Sequence, residues 1–404
     1  MLRVLQIWPP QSAAVARACL SGLLVLAIAI LLAGCSGILS GDLLPSSPHS
    51  ASSQPSTIIG TGQVKAGLIL PLSATGNAAT ALSMRNAAEM ALAELNSQDI
   101  QLLVKDDGGN PKTAQNAAQQ ALDERAEIIL GPLFALTVGP VGQLARARNV
   151  PVIAFSTDAN VAGRGVYLLS FLPESDVNLI ISYAVGQGRK SFAALIPDNA
   201  YGTVVEAAFK QTVEHRGGHV VALERYPVDM AQIQKSVRNV AHAAKDAEAI
   251  FIPDGADAVP VVVAALNNEG IDTKRVQLLG TSLWEQSQIY SNSRLEGGWY
   301  AGPDSTGFRN FSNRYRSRYG TDPLRAGSLA YDAVALIVAL VKTQGRQRFS
   351  EEVLTNSSGF NGIDGLFRFR PDGTNQRGLA VMRVGSSGGQ IISAPPRAFN
   401  SSGT

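Results

Sequence analysis

Residues 127–158 read Glu-Ile-Ile-Leu-Gly-Pro-Leu-Phe-Ala-Leu-Thr-Val-Gly-Pro-Val-Gly-Gln-Leu-Ala-Arg-Ala-Arg-Asn-Val-Pro-Val-Ile-Ala-Phe-Ser-Thr-Asp. Two short β-branched runs, 128–130 and 150–155, are each followed by small and hydroxyl residues, and one amphipathic helical segment separates them. This spacing predicts a β-α-β unit. In an open parallel sheet, ligands sit outside the carboxyl ends of the strands, so residues 133–137 and 156–158 are expected to project into one crevice.

On the N-terminal side of this unit, 64–70 reads as a strand leading into the small-residue loop 71–77, which then faces the crevice. A helix follows, with Met84, Ala88, Ala91, Leu92 and Leu95 at helical spacing. Residues 100–105 read as a second strand, and Asn110-Pro111 sets an N-cap before a proline at the first helical position. Residues 166–171 read as a fifth strand. At Pro173-Glu174-Ser175-Asp176 the alternation starts again, with strands expected at 192–196, 219–226, 249–252 and 276–279 and helices between them. Two lobes of the same grammar point to a hinged pair.

The last third adds no new domain. Residues 297–301 are expected to form a strand returning to the first lobe. Phe308, Phe311, Tyr315 and Tyr319 make an aromatic stripe at helical spacing, read as core, with Arg309, Arg314, Arg316 and Arg318 on a solvated face. A helix is expected over 324–343, then late strands at 360–369 and 379–384 around the turn Pro371-Asp372-Gly373. The Ser/Gly-rich tail from Gly385 is expected to be loosely held.

The 404-residue chain is 45% hydrophobic and 16% charged, a composition that supports a sizeable globular core. Its first residues are of another kind. Arg3 and Arg17, with no acidic neighbour, precede an apolar run at 18–33 that is short for a membrane span and suits a signal peptide. The run ends in Leu32-Ala33-Gly34-Cys35, which resembles the bacterial lipobox and implies cleavage before Cys35 and lipidation of its thiol. Of the 34 basic residues, removing Arg3 and Arg17 leaves 32 against 32 acidic ones, so the exported chain is formally neutral. Such a balance gives no basic field for nucleic acid or for an anionic membrane surface. Cys19 leaves with the signal and Cys35 carries lipid, so no thiol remains for a disulfide or a cysteine metal site. Residues 36–62 hold eight Ser, three Pro and four Gly with Asp42 as their one charge, the composition of a tether. As a flexible coil it spans roughly 30 Å.

The usual catalytic constellations are missing. There is no His-Glu-x-x-His, Gly-x-Ser-x-Gly, Ser-x-x-Lys or phosphate loop, and no complete dinucleotide fingerprint. His49, His215, His219 and His242 read as surface residues. Asp106-Asp107, before Gly-Gly-Asn-Pro, reads as part of a turn. The chain is therefore expected to bind and not to catalyse, with no cofactor and no metal.

Ile129-Leu-Gly-Pro-Leu133, Pro151-Val-Ile-Ala-Phe-Ser156, Pro197-Asp-Asn-Ala-Tyr-Gly202, Leu278-Leu-Gly-Thr-Ser282, Ala330-Tyr-Asp-Ala-Val334 and the run from Gly359 to Phe369 occur in the order that resembles the leucine-binding, type I periplasmic binding protein superfamily. The resemblance covers residues 64–392. It implies an α/β fold of two doubly wound three-layer lobes with parallel sheets, joined by a three-strand hinge, with a small ligand caught in the cleft between them. The organisation expected is a signal peptide at 1–34, lipidated Cys35 and tether at 35–62, lobe 1 at 63–172 and 299–345, lobe 2 at 173–298 and 346–392, and a tail at 393–404.

Within that superfamily two roles compete. Receptors of ABC transporters hold an amino-acid carboxylate with hydroxyl and backbone groups of the first lobe and the ammonium with an acid of the second. Here the first hydroxyl position is Ala135, with Thr137 near; Ser156 or Thr157 serves as the second; the acidic position is Ser282; and Tyr201 matches the second-lobe aromatic. The other branch is the penicillin-binding-protein activators, outer-membrane lipoproteins that contact a peptidoglycan synthase. Gly131-Pro132-Leu133, Asn199-Ala-Tyr-Gly202, Gly280-Thr-Ser-Leu-Trp284, Leu329-Ala-Tyr-Asp-Ala-Val334 and Arg377-Gly-Leu-Ala-Val381 are similar to that branch, and Ser36 after the lipidated cysteine favours the outer membrane. The helical N-terminal domain of some activators has no room here. The cleft residues expected are Leu133, Phe134, Thr137, Ser156, Thr157, Tyr201, Asp254, Ser282 and Trp284. Each also has a plainer reading: Ser156 and Thr157 as turn caps, Asp254 as support for the turn at Gly255, Trp284 as buried packing, and Tyr201 as packing at a helix start. The partners expected are a small ligand and either a peptidoglycan synthase or an ABC permease, with the membrane reached only through lipid and no nucleic acid.

Overall fold

The computed structural model describes residues 57–227 and 229–399. The expected signal peptide at 1–34, Cys35, the expected tether as far as residue 56 and residues 400–404 of the tail lie outside the described residues.

The first lobe runs β1 (Ile58–Ile59), β2 (Val64–Leu70), α1 (Ala78–Glu94), β3 (Ile100–Asp106), α2 (Pro111–Asp123), β4 (Ile128–Leu130), α3 (Ala135–Ala147), β5 (Val152–Ala154) and β6 (Val166–Leu168). Its strands lie in the order β1-β3-β2-β4-β5-β6, all parallel except β1, which pairs antiparallel with β3. Strand β1 thus lies inside the stretch read as tether. The apolar runs of β2, β4 and β5 are continuous because helices cover both faces, and Leu68, Ile69 and Leu70 are all fully buried. Helix α2 starts as its sequence demands, with the Asn110 side chain accepting from the Thr113 N–H at 3.0 Å and Pro111 in the first turn.

The second lobe runs α4 (Pro173–Gly186), β7 (Ser191–Pro197), α5 (Ala200–His215), β8 (His219–Tyr226), α6 (Met230–Ala244), β9 (Ala249–Phe251), α7 (Val259–Asn268), β10 (Gln277–Gly280), α8 (Ser287–Tyr290) and β11 (Trp299–Gly302). In each sheet the second and third strands flank the first, β3 and β4 around β2, and β8 and β9 around β7. The strand order therefore reverses at one point in each lobe, which is where open α/β sheets leave a crevice.

The remaining elements are α9 (Ser305–Tyr319), α10 (Ala326–Thr343), α11 (Glu351–Leu354), β12 (Phe360–Gly362), β13 (Gly365–Phe369), β14 (Asn375–Arg377), β15 (Ala380–Gly385) and β16 (Gly388–Ser393). Three expectations need correction. Strand β11 does not return to the first lobe; it completes the second sheet between parallel β10 and antiparallel β15, with Tyr300 and Ala301 fully buried. Residues 346–377 do not belong to the second lobe as expected. Phe367 and Phe369 on β13 enter the first-lobe core beside Tyr167, and the Asn375 side-chain N–H groups donate to the Leu168 and Ser170 carbonyls at 2.8 and 3.0 Å. The tail after Gly385 is not loose either, because β16 adds an edge strand to β15.

It is the helices α9 and α10 that come back to the first lobe. Leu329, Ala333, Ile337 and Leu340 of α10 share one core with Met84, Ala88 and Ala91 of α1. Phe311 and Tyr315 of the aromatic stripe pack on Ala87 and Met90. Arg314, Arg316 and Arg318 stay exposed and pair with Glu94, Asp322 and Glu89. The chain crosses between the lobes three times, at 169–173, 302–305 and 377–380.

An inter-lobe cleft as the candidate functional site

A cavity of about 630 Å³ lies between the lobes, within the size range of small-molecule sites. The first lobe contributes Thr157 after β5, Phe308 from α9, and Leu324 and Arg325 just before α10. The second contributes Asp176 from α4, Tyr201 from α5, and Ser282, Leu283 and Glu285 from the segment after β10. Phe171, Pro173 and Pro303 line it where the chain crosses between lobes. These positions follow from the fold, since loops at the carboxyl ends of β5, β7 and β10 all open on the same side.

Charges of opposite sign face each other across this space. Arg325 is held on the first lobe by Asp364, Nη2 to Oδ1 at 2.5 Å, and Asp364 is wholly buried and also accepts from the Ser328 hydroxyl at 2.6 Å. Its guanidinium lies 4.2 Å from the centre of the Phe308 ring and 5.5 Å from that of Phe171, inside the reach of a cation-π contact. On the second lobe, Glu285 sits 3.9 Å from Arg325 Nη1, and burial raises its pKa against the pull of that arginine. Asp176 is buried, accepts from the Ser282 N–H at 2.8 Å, and is pushed up to about 6 by desolvation. Leu324 is tied to the first lobe as its N–H donates to Ser83 Oγ at 2.9 Å.

Of the nine residues expected in the cleft, the structure brings Thr157, Tyr201 and Ser282 to this cavity. The Tyr201 and Thr281 hydroxyls share a hydrogen bond at 3.0 Å, and burial raises the tyrosine pKa. The other six are placed differently. Leu133 packs on the first-lobe core, and the Phe134 ring lies against Gly109. Thr137 is fully buried and its hydroxyl donates to the Phe134 carbonyl at 2.9 Å, closing the first turn of α3. Ser156 Oγ accepts from the Asp158 N–H at 3.2 Å. Asp254 accepts from the Tyr226 hydroxyl at 2.6 Å and from the Gly255 N–H at 2.7 Å. Trp284 is wholly buried in the second-lobe core and donates its indole N–H to the Ile252 carbonyl at 3.0 Å. For Ser156, Asp254 and Trp284 these are the plainer of the two roles their sequence context allowed.

Asp176, Glu285, Arg325 and Phe308 escaped the sequence reading. Asp176 was visible only as part of the restart at Pro173, and Phe308 only as the first member of the aromatic stripe. Arg325 and Glu285 sit in loops with no motif, and what brings them together is the return of α10 to the first lobe.

A family described as periplasmic binding protein matches residues 63–390. Among solved structures, a protein described as a branched-chain amino acid ABC transporter of Rhodospirillum rubrum is 20% identical with a TM-score of 0.73, over 81% of this chain and 99% of that one. A solute-binding protein of an ABC transporter from Rhodopseudomonas palustris, in complex with 3,4-dihydroxybenzoic acid, is 20% identical with a TM-score of 0.61, over 84% and 98%. A substrate-binding protein from Desulfitobacterium hafniense in complex with Leu is 16% identical with a TM-score of 0.61, over 81% and 99%. At these identities the likeness is one of fold. An uncharacterised protein of Rickettsia prowazekii is 24% identical over 138 residues, which are 34% of this chain and 37% of that protein's length.

Proposed function

Because this chain belongs to the periplasmic binding protein family, we propose that it works by binding and not by catalysis, as a lipoprotein held at Cys35 on the periplasmic face of the outer membrane. Its role on this reading is to regulate a peptidoglycan synthase, as the activator-like motifs around Gly131, Tyr201 and Trp284 suggest.

One observation carries the choice between regulator and amino-acid receptor. Apart from Thr157, which lines the cavity, the groups that would grip a free amino acid are absent or already bonded within the protein. Ala135 stands where the first hydroxyl is wanted, Thr137 is spent on the Phe134 carbonyl, and Asp254 is spent on Tyr226 and Gly255. A buried charge without a partner is costly, so a cleft that receives a zwitterion needs free partners for both its ends. The test is reconstitution with a purified bifunctional synthase. Co-purification and faster glycan polymerisation or peptide crosslinking are expected, and rates indifferent to the protein refute the role. Cys35→Ser should release the protein from membranes; continued tight association contradicts the anchor.

A second reading is favoured by the cavity itself. Arg325 between Phe171 and Phe308 suits the carboxylate of a solute with an apolar or aromatic body, and relatives of this fold hold 3,4-dihydroxybenzoic acid and Leu. On that reading the protein serves an ABC permease. A calorimetric screen of aromatic acids and amino acids decides it, with micromolar binding lost in Arg325→Met as the supporting result and no heat as the refuting one.

A further inference from the structure

The first crossing between the lobes has two sides. Phe171 and Pro173 line the cleft, while the intervening Leu172 and the next residue, Glu174, line a separate cavity of about 500 Å³. Leu172 is extended, so its side chain points away from that of Phe171, and Glu174 follows in the first turn of α4. This second cavity lies between α4 of the second lobe and β14 of the first. It runs into a neighbouring one of about 550 Å³, since Asn178, Ser182, Arg216, Arg370 and Gln376 line both.

The groove so formed carries three arginines that make no ion pair, beside the carboxylates of Glu174 and Asp372. Among the described residues, Arg216, Arg370 and Arg377 form no ion pair within the salt-bridge distance, and His215 lies at the same end as Arg216. Arg377 is 6% exposed and donates from Nε to the Ser170 carbonyl at 2.9 Å, yet its Nη1 and Nη2 have no hydrogen-bond partner. Asp364 and Asp332 bias its charge from the α10 side without bonding it. Asn375, 2% exposed, leaves Oδ1 unpartnered, and so does Glu174 its Oε2. Buried polar groups in native proteins are nearly always satisfied, so a cluster of orphans lining one groove marks a place where a ligand supplies the missing bonds. Asp372, the other carboxylate here, is already engaged by the Thr374 N–H and hydroxyl at 2.8 and 2.6 Å.

We infer that this hinge groove is a second ligand site and that it takes a hydroxyl-rich organic anion of the acidic-saccharide class. Arginines supply the pairing for a carboxylate. Between them the walls carry amides and hydroxyls. Gln376 gives its Oε1 to Arg368 and keeps its N–H groups for a sugar, and Asn178 gives its Oδ1 to Thr212 and keeps its own. Both lobes contribute walls, so the occupant bridges the hinge. The Arg377 guanidinium also stacks 4.4 Å from the Phe171 ring centre, and Phe171 lines the cleft. Occupation of the groove is therefore coupled to the cleft, and by linkage the coupling acts in both directions.

Calorimetry on the full chain in detergent tests this with N-acetylmuramate, N-acetylglucosamine and inorganic phosphate, which separate the carboxylate from the sugar and the sugar from a bare anion. N-acetylmuramate is expected to bind with a Kd below about 1 mM, and each of the other two at least about tenfold more weakly. The double variant Arg216→Ala/Arg370→Ala removes two exposed side chains that make no ion pair, at the cost of one exposed bond from Arg216 Nε to Ser182 Oγ, and should keep its melting temperature while losing at least about tenfold in N-acetylmuramate affinity. Arg377→Gln should lose affinity as well; if it fails to fold, the double variant carries the test. No heat with N-acetylmuramate, equal affinity for phosphate, or an unchanged double variant overturns the proposal.

Discussion

Arg325 Nη1 lies 3.9 Å from Glu285 Oε2, and the two residues belong to different lobes. This contact spans the cleft, and its two partners differ in what holds them. Arg325 is tied down by the wholly buried Asp364, whereas Glu285 has a largely buried side chain whose burial raises its pKa. Arg325→Met should therefore cost about 3 kcal/mol, because it removes the counter-charge bonded to the buried Asp364. Glu285→Gln should cost less than about 1 kcal/mol, since a long, partly solvated pair contributes little. Thermal unfolding separates the two. Small-angle scattering should show Glu285→Gln shifted towards a more open pair of lobes, and an unchanged profile would mean that the contact does not set the closure.

Trp284 and Gly280 are one packing unit. A Cβ on Gly280 would stand 2.2 Å from the Trp284 ring, and the ring is wholly buried with its N–H bonded to Ile252. Gly280→Ala should destabilise by about 2 kcal/mol or more through overpacking. Trp284→Ala should cost about 3 to 5 kcal/mol through the cavity it leaves. Neither substitution touches the wall of the cleft. Urea unfolding with an unchanged midpoint for Gly280→Ala would contradict this packing.

Asn375 fastens the three-stranded antiparallel sheet β12-β13-β14 to the first lobe through two bonds from one side chain, to the Leu168 and Ser170 carbonyls. Asn375→Ala removes both bonds, leaving the Ser170 carbonyl with the Arg377 Nε–H alone, and should cost about 1 to 3 kcal/mol. Hydrogen exchange should rise first in 360–377. Protection unchanged there would show that Phe367 and Phe369 hold the sheet without it.

The local signals in the chain were legible because they depend on neighbours. The β-α-β unit at 127–158 appears as β4, α3 and β5, and Asn110-Pro111 caps α2 as its residue types require. Assignments that depend on distant partners were not legible. Nothing in the sequence of β11 tells that β15 will pair with it, and nothing in Phe367 and Phe369 tells which of two apolar cores will take them. The same limit applies to the cleft. Thr157, Tyr201 and Ser282 follow strands recognisable by period and reach the cavity, whereas Arg325 and Glu285 meet only because α10 crosses back. A polar residue after a strand is also ambiguous, since turn capping and ligand contact call for the same side chains; Ser156 and Asp254 took the local bond.

Asp176 links the cleft to pH. Its carboxyl is pushed up from 3.8 to about 6 by burial, and the Ser282 N–H offsets only part of that. The sign follows from linkage. The folded state binds the proton more tightly than the unfolded chain, so the contribution of Asp176 to stability is fully present below pH 3.8 and is lost as pH rises through about 6. Asp332, raised to about 7 by desolvation, acts in the same direction. Wild-type protein should therefore gain stability on acidification from about pH 7.5 to about pH 5, before protonation of the hydrogen-bonded Asp106, Glu206 and Asp304, all with lowered pKa, works against it. Asp176→Asn keeps an acceptor for Ser282 and removes the buried charge. It should raise stability at about pH 7.5 by about 1 to 2 kcal/mol and flatten the dependence, leaving the part that belongs to Asp332. Denaturant titrations at the two pH values read this directly. A variant less stable than wild type at the higher pH would show that the ionised carboxylate is favoured in the fold, and the assigned direction of its shift would then be reversed.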